Sequence, residues 1–267
     1  MRKHELLTEA ERVQLLGVPT ERDDLARLYT FERRDLDLIR LRREDRNRLG
    51  LALQLALFRH PGMTLAQILL RSTSLPEELV SFVAQQLDIP AASFADYAGR
   101  EQTMTDHARE LAAAVGLRGA SRTDIPFMID ADAGAAWDTD RGMAIAAGII
   151  AALRQAKILL PAISTIERAG IAGRARARKQ AAHALVAGLR PEQLDALDAL
   201  LIPHAGKSAI PLTWLKTIPT TAKPDHVRDI LDRLRMVREI GIPAKLTAAV
   251  HPDRYRQFVR EGRASPA

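Results

Sequence analysis

The sequence has no cysteine, few aromatic residues and no long apolar run, and each shortage removes a class of function. Without cysteine there is no disulfide, no thiolate metal site and no cysteine nucleophile, which fits a reducing compartment. Aromatic residues make up only 4%. That argues against binding of single strands by base stacking and leaves duplex DNA as the better-matched nucleic acid. The longest apolar run, Gly142 to Leu153, is too short and too rich in alanine to span a bilayer. Met1-Arg2-Lys3-His4-Glu5 opens into a charged segment rather than an apolar signal core, so a cytoplasmic, non-membrane protein is expected.

Recognisable chemistry is scarce as well. There is no Gly-x-Ser-x-Gly elbow, Gly-rich dinucleotide loop or His-Glu-x-x-His. His4, His60, His107, His183, His204, His226 and His251 are scattered, with no pair at ligand spacing on one helix. Asp124, Asp130, Asp132, Asp138 and Asp140 cluster but lack the spacing and terminal glutamate of an EF-hand, and read as helix caps and solvated loop. Gly206-Lys207-Ser208 imitates the end of a phosphate loop without its earlier glycine or a preceding strand. No cofactor, metal or catalytic residue is assigned, and binding is better supported than chemistry.

What is present is charge and helical periodicity. The 267 residues are 47% hydrophobic and 27% charged, a globular composition long enough for one large or two to three small domains. A net charge of +6 and a pI near 10.0 favour a polyanionic partner, of which nucleic acid is the commonest. No segment shows sustained apolar–polar alternation, so an all-α fold is predicted, an array of small helix-turn-helix-like modules. Gly116 to Thr123 suggests a boundary between residues 1–118 and 119–267.

Residues 20–62 organise the first part. Leu25 and Leu28 predict a short helix, with Thr20 or a following acid as its cap and Asp23 and Asp24 in its first turn. A turn at Thr30 and Phe31 leads to a second helix that buries Leu36 and Ile39 and exposes a basic side. Leu49 to Phe58 is apolar almost all round, so it reads as the buried prop behind that pair. Helix, turn and basic helix outline a helix-turn-helix. Eight arginines face five acids between Arg27 and Arg48. Arginine suits phosphate because its planar fork offers paired donors and stays charged. The competing reading is a solvated surface whose arginines pair with Glu32, Asp35, Asp37, Glu44 and Asp45.

Further along, a helix capped by Thr8 turns Val13, Leu15 and Leu16 inward, and Phe94 and Tyr97 read as core. A long helix, Ile163 to Leu189, places Gly170, Gly173, Ala177 and Ala181 on one side, where another helix could approach closely. From Arg168 to Arg190 it carries five arginines, one lysine and no acid. No local carboxylate neutralises that run, which favours phosphate contact over a solvated face. Thr220 to Pro224 reads as a linker, and the helix after it, Asp225 to Ile240, is expected to bury Val227, Ile230, Leu231, Leu234 and Val237. The same helix should expose Arg228, Arg233, Arg235 and Arg238 as an ordinary mixed-charge surface.

Spaced blocks then carry a resemblance over essentially the whole chain. Tyr29-Thr30-Phe31, Asp35-Leu36, Ile39, Arg42-Arg43, Asn47-Arg48-Leu49-Gly50, Gln54-Leu55, Arg59 and Pro61-Gly62 resemble the N-terminal signature of the Tn-three-family replicative transposases. Arg100-Glu101-Gln102-Thr103 with His107 and Glu110-Leu111, then Thr139-Asp140-Arg141-Gly142, Leu160-Pro161-Ala162, Ile166-Glu167-Arg168 and Trp214-Leu215 are similar to later blocks of that region.

The resemblance implies small helical modules that recognise the terminal inverted repeats of a transposon. In that family a longer C-terminal part with an acidic metal-binding triad cuts and joins strands, and none of its catalytic residues maps here. The expected partner is therefore double-stranded DNA, with self-association or a transposase subunit as a further partner. The alternatives are a short regulator that occupies transposon ends and represses transposition, or a protein-interaction module. From charge and helix geometry, the expected DNA contacts are Arg33, Arg34, Arg40, Arg42 and Arg43 near the major groove or its phosphates and Arg46 and Arg48 at the backbone. Arg174, Arg176, Arg178 and Lys179 form a second expected footprint.

Overall fold

Apolar residues three and four apart specify helices throughout, and helices are what form. The computed structural model describes residues 5–72, 74–203, 210–217, 221 and 223–264, with the side chains of 132–138, 249, 263 and 264 outside that description. Among the described residues there are fifteen α-helices, two 3-10 turns and no strand, only an isolated bridge between Arg118 and Ile158. None of these helices is long and apolar enough to cross a membrane. Gly206-Lys207-Ser208, and Thr220 and Ala222 of the expected Thr220–Pro224 linker, lie outside the described residues.

The chain divides into two units, one of Met1–Asp132 with Arg141–Gly173 and the other of Ala133–Asp140 with Arg174–Ala267. The division runs through a helix, and residues 116–123 lie within the first unit.

In the first unit, α1 (Glu9–Leu16) starts at Thr8 in a capping box with Glu11, which satisfies otherwise orphaned amides. Its Leu16 is buried, but Val13 faces solvent rather than inward. There follow α2 (Arg22–Tyr29), α3 (Arg33–Arg40) and α4 (Asp45–Arg59). The cap position of α2 falls to the acid after Thr20, Glu21, whose side chain makes no cap hydrogen bond.

Every residue of α4 from Leu49 to Phe58 is buried. It packs against α2, α3, α5 (Leu65–Leu69), α6 (Glu77–Leu87), α7 (Ser93–Ala98) and α8 (Glu101–Ala114). Each leucine so enclosed contributes roughly 1.5–3 kcal/mol of transfer free energy, so α4 is the axis of the unit. Tyr97 of α7 lies over Gly50, where any side chain would collide with its ring. The one polar side chain on this part of α4, Gln54, donates to Tyr97 Oη at 3.0 Å and to the Met104 carbonyl at 2.7 Å. Tyr97 Oη also meets His107 Nδ1 at 3.1 Å. Burial pushes the Tyr97 hydroxyl up to about 12 and holds His107 below its ordinary value, so both stay neutral parts of the core.

The remaining helices of this unit are α9 (Ile125–Asp138), which replaces the loop expected around the aspartate cluster and continues past the division, and α10 (Gly142–Gln155). Asp124 caps the turn before α9 through the Ser121 amide and pairs with Arg118 at 2.6 Å. The long helix α11 (Ile163–Ala187) buries Ile166 and Ala169, and a side chain at Gly170 would strike Leu6. From Arg174 onward it belongs to the second unit with α12 (Pro191–Ala199), α13 (Pro211–Lys216), α14 (Pro224–Ile240) and α15 (Pro252–Ala264).

Helix α14 corrects an expectation. Val227, Ile230, Leu231, Leu234 and Val237 are 42–53% exposed, not buried. The helix turns a different side inward: Asp229 accepts from Trp214 Nε1 at 2.7 Å and pairs with Arg233 at 2.6 Å. The Arg233 guanidinium lies 5.1 Å from the Trp214 ring centroid, so Arg233, expected at the surface, is 13% exposed.

Candidate nucleic-acid interface

The geometry around α3 starts from the turn before it. Gln86 of α6 donates to the Tyr29 carbonyl at 3.0 Å and accepts from the Phe31 amide at 2.8 Å, fixing the Tyr29-Thr30-Phe31 corner. Arg59 of α4 pairs with Asp35 at 2.6 Å, donates to the Thr30 carbonyl at 3.1 Å and sits 5.8 Å from the Phe31 ring centroid. Asp35 also accepts from the Glu32 amide at 2.7 Å, which caps α3. Together with Ile39, which is buried, these contacts fix how α3 is rotated on its axis.

At about 100° per residue, Arg33, Arg34, Asp37, Arg40 and Leu41 fall within one arc of roughly 120°, opposite Asp35 and Ile39. All five side chains are exposed. Arg33 and Arg34 make no ion pair among the described residues, and neither does the exposed Arg43 just beyond the helix. Arg40 stands 3.9 Å from Asp37, a loose surface pair. Arg46 pairs with Glu44 at 2.7 Å, also at the surface.

Two of the expected contacts in this region also bond within the protein. Arg42, half-buried, pairs with the exposed Glu110 of α8. Arg48 donates its Nε to the Arg42 carbonyl at 2.8 Å and lies 3.4 Å from Asp45. Arg42 thus ties the turn after α3 to α8, and Arg48 ties the start of α4 to that turn. Sequence reading passed over Leu41, although a helical wheel drawn over 33–41 places it on the arginine arc.

The second basic run is arranged differently. Ala177 and Ala181 are buried, and Arg176 and Lys179 are exposed on the far side of α11. Arg174 is half-buried on the opposite flank from Arg176, about 160° round the helix, so the run winds around α11 instead of forming one face.

Arg178, expected in the same footprint, is paired within the protein. It pairs with Asp140 at 2.6 Å and with Glu261 of α15 at 2.8 Å. Asp140 also takes a 2.6 Å contact from Arg254, which is 1% exposed, and a hydrogen bond from Gln257. Arg254 further donates to the Thr139 carbonyl at 3.1 Å. Burial by itself would raise the Asp140 carboxyl, but hydrogen bonds from Arg178 and Arg254 outweigh it and hold the group below its ordinary range. The same bond holds Arg178 more firmly protonated. This cluster fixes α15 to α11 within the second unit, and its members are structural.

Among the described residues the fold is all-helical, with a cluster of exposed arginines on a short helix held by its neighbours. Comparison with known proteins gives the family. Residues 6–173 match the model of a domain of unknown function, DUF4158, and the chain belongs to that family. It is 37% identical to the transposase for transposon Tn501 of Pseudomonas aeruginosa over 96% of its length. It is 33% identical to the transposases for Tn3926 and Tn21 of Escherichia coli over 98%. In each case it spans about a quarter, 26%, of the relative's length. The resemblance to Tn-three-family transposases drawn from the spaced blocks therefore stands, and its extent fits an N-terminal region.

Proposed function

We propose that this chain recognises duplex DNA at the terminal inverted repeats of a transposon, as the front part of a transposase. In this reading α3 enters the major groove with Arg33, Arg34 and Arg40, while Arg43 and Arg46 take backbone phosphates. A second backbone contact centres on Arg176 and Lys179 of α11, with Arg174 at its edge. Arg42, Arg48 and Arg178 serve as positioning groups and touch no DNA. Strand cutting and joining are assigned to no residue of this chain.

The observation that carries the reading is the α3 arc, with three arginines on one exposed face of a helix fixed by α4, in a chain similar to transposases along nearly all its length. Measuring affinity for the element's inverted-repeat duplex and for a scrambled duplex of equal length, across a salt series, tests it. Recognition requires a clear preference for the repeat, together with a steep fall in affinity with salt. Equal affinity for both duplexes would discard it.

A second reading, a protein-interaction module, draws on the apolar face of α14, which the described residues leave open. Both roles can reside in one chain because they use different helices. Sedimentation that finds a monomer with and without DNA would remove the interaction role.

A further inference from the structure

We infer that Leu41 is a sequence-reading residue whose side chain packs on the C5-methyl group of a thymine in the major groove, an inference that rests on the DNA-binding reading of α3. Leu41 is 74% exposed, among the most exposed large apolar residues of the chain. It lies on the same arc of α3 as Arg33, Arg34, Asp37 and Arg40, where it is the only apolar side chain.

Its surroundings explain why it is held there. The Arg42 amide donates to the Ile39 carbonyl at 3.1 Å, the Arg42 side chain is tied to Glu110, and the Arg42 carbonyl accepts from Arg48 at 2.8 Å. Both sides of the turn after Leu41 are thus anchored, and the leucine is presented on a fixed backbone. A mobile loop would let an apolar group fold back onto the protein, whereas this one cannot. A protein partner would call for a contiguous apolar patch. Here the neighbours on the arc are charged, three guanidinium groups and the Asp37 carboxylate that stands beside Arg40, and they leave one apolar position among them. The one apolar group that a base pair displays in the major groove is the thymine methyl.

The test uses deoxyuridine, which differs from thymidine by that methyl alone. Thymines of the inverted-repeat duplex are replaced one at a time, and affinity is measured for the native protein, Leu41→Ala and Leu41→Met. One position should weaken the native protein by about fourfold, the factor carried by one buried methyl group. Leu41→Ala should bind the unmodified duplex less tightly and show no further loss at that position. Leu41→Met, which restores an apolar end, should recover the sensitivity. Because Leu41 contributes little to the core, all three proteins should give the same helical circular dichroism. If no thymine position separates the native protein from Leu41→Ala while the repeat is still preferred over scrambled DNA, this inference alone is overturned. If that preference is itself missing, the DNA-recognition reading falls with it.

Discussion

The two arginine-rich stretches behave oppositely to what their immediate neighbours in sequence suggest. Between Arg27 and Arg48 five acids accompany eight arginines, yet Arg33, Arg34 and Arg43 emerge without an ion pair among the described residues. Between Arg168 and Arg190 there is no acid at all, yet Arg178 is bound by two carboxylates from 38 and 83 residues away. A carboxylate neutralises an arginine only when the backbone brings the two together, and on a helix that means three or four residues apart or through a tertiary contact. Glu32 and Asp35 are spent on capping α3 and holding Arg59, so they are not available to the arginines beside them. Counting charge along the chain measures local excess, while burial and fold decide which charges remain for a ligand.

The sharpest way to break this contrast is to remove Asp140. Its carboxylate pairs with Arg254, which is 1% exposed, so Asp140→Ala takes that 2.6 Å carboxylate contact from a buried guanidinium. Breaking a buried pair from one side costs about 3–5 kcal/mol. Denaturant unfolding of the full chain should show an early transition for the variant. In Glu44→Ala, which strips the exposed partner of Arg46, stability should move by less than about 0.5 kcal/mol. Equal effects from the two would show that the Asp140 cluster is no more structural than the surface pair.

The next effect lies in binding. Replacing Arg33, Arg34 and Arg43 together by alanine should lower the salt slope by about one, for the phosphate contact of Arg43, and cost about 1–3 kcal/mol of discrimination at each base pair that Arg33 and Arg34 read. The variant should keep its folding stability, because these side chains hold nothing. Arg178→Ala should do the reverse, losing stability and leaving the salt slope unchanged. If Arg178→Ala lowers the slope by one, its ion pairs yield to phosphate and the second stretch resembles the first after all.

Much of the fold could be read from periodicity, and the exceptions share a cause. Leu49 to Phe58, apolar on all sides, announced a helix surrounded by protein, and α4 is that helix. In α14 the same reasoning found a genuine apolar stripe but assumed that it was covered. Periodicity shows which side of a helix is apolar and says nothing about whether another element lies over it. Instead Trp214, from a separate helix, selects the side bearing Asp229 and Arg233.

The signature blocks were likewise legible as regions and opaque as roles. Tyr29 to Phe31, Asp35, Gln54 and Arg59 turn out to hold the unit together, through Gln86, Tyr97 and one another. Their partners lie between 24 and 57 residues away, beyond any local pattern. The exposed arc of α3 could be derived from helix geometry, whereas the diversion of Arg42 to Glu110, 68 residues away, could not.

The smallest expected effect concerns acid, and it separates the two stretches by a different route. Asp140 titrates below its ordinary value of 3.8 in the folded chain because Arg178 and Arg254 bond to its charged form. The unfolded chain, with the higher pKa, therefore binds the proton more readily as the solution is acidified. Linkage then gives the sign: the contribution of Asp140 is complete above about pH 4 and is lost as pH falls through the lower, folded value. In Asp140→Asn, which has no carboxylate there, the deficit relative to the native protein should be largest near neutral pH and should shrink below pH 4. A deficit that stays constant down to pH 2 would mean that the carboxylate's charge adds nothing beyond its shape. No comparable convergence should appear between the native protein and the variant lacking Arg33, Arg34 and Arg43, since among the described residues no carboxylate is paired with those side chains. Acid thus loosens the stretch that looked free of carboxylates in the sequence and spares the arginines that looked neutralised.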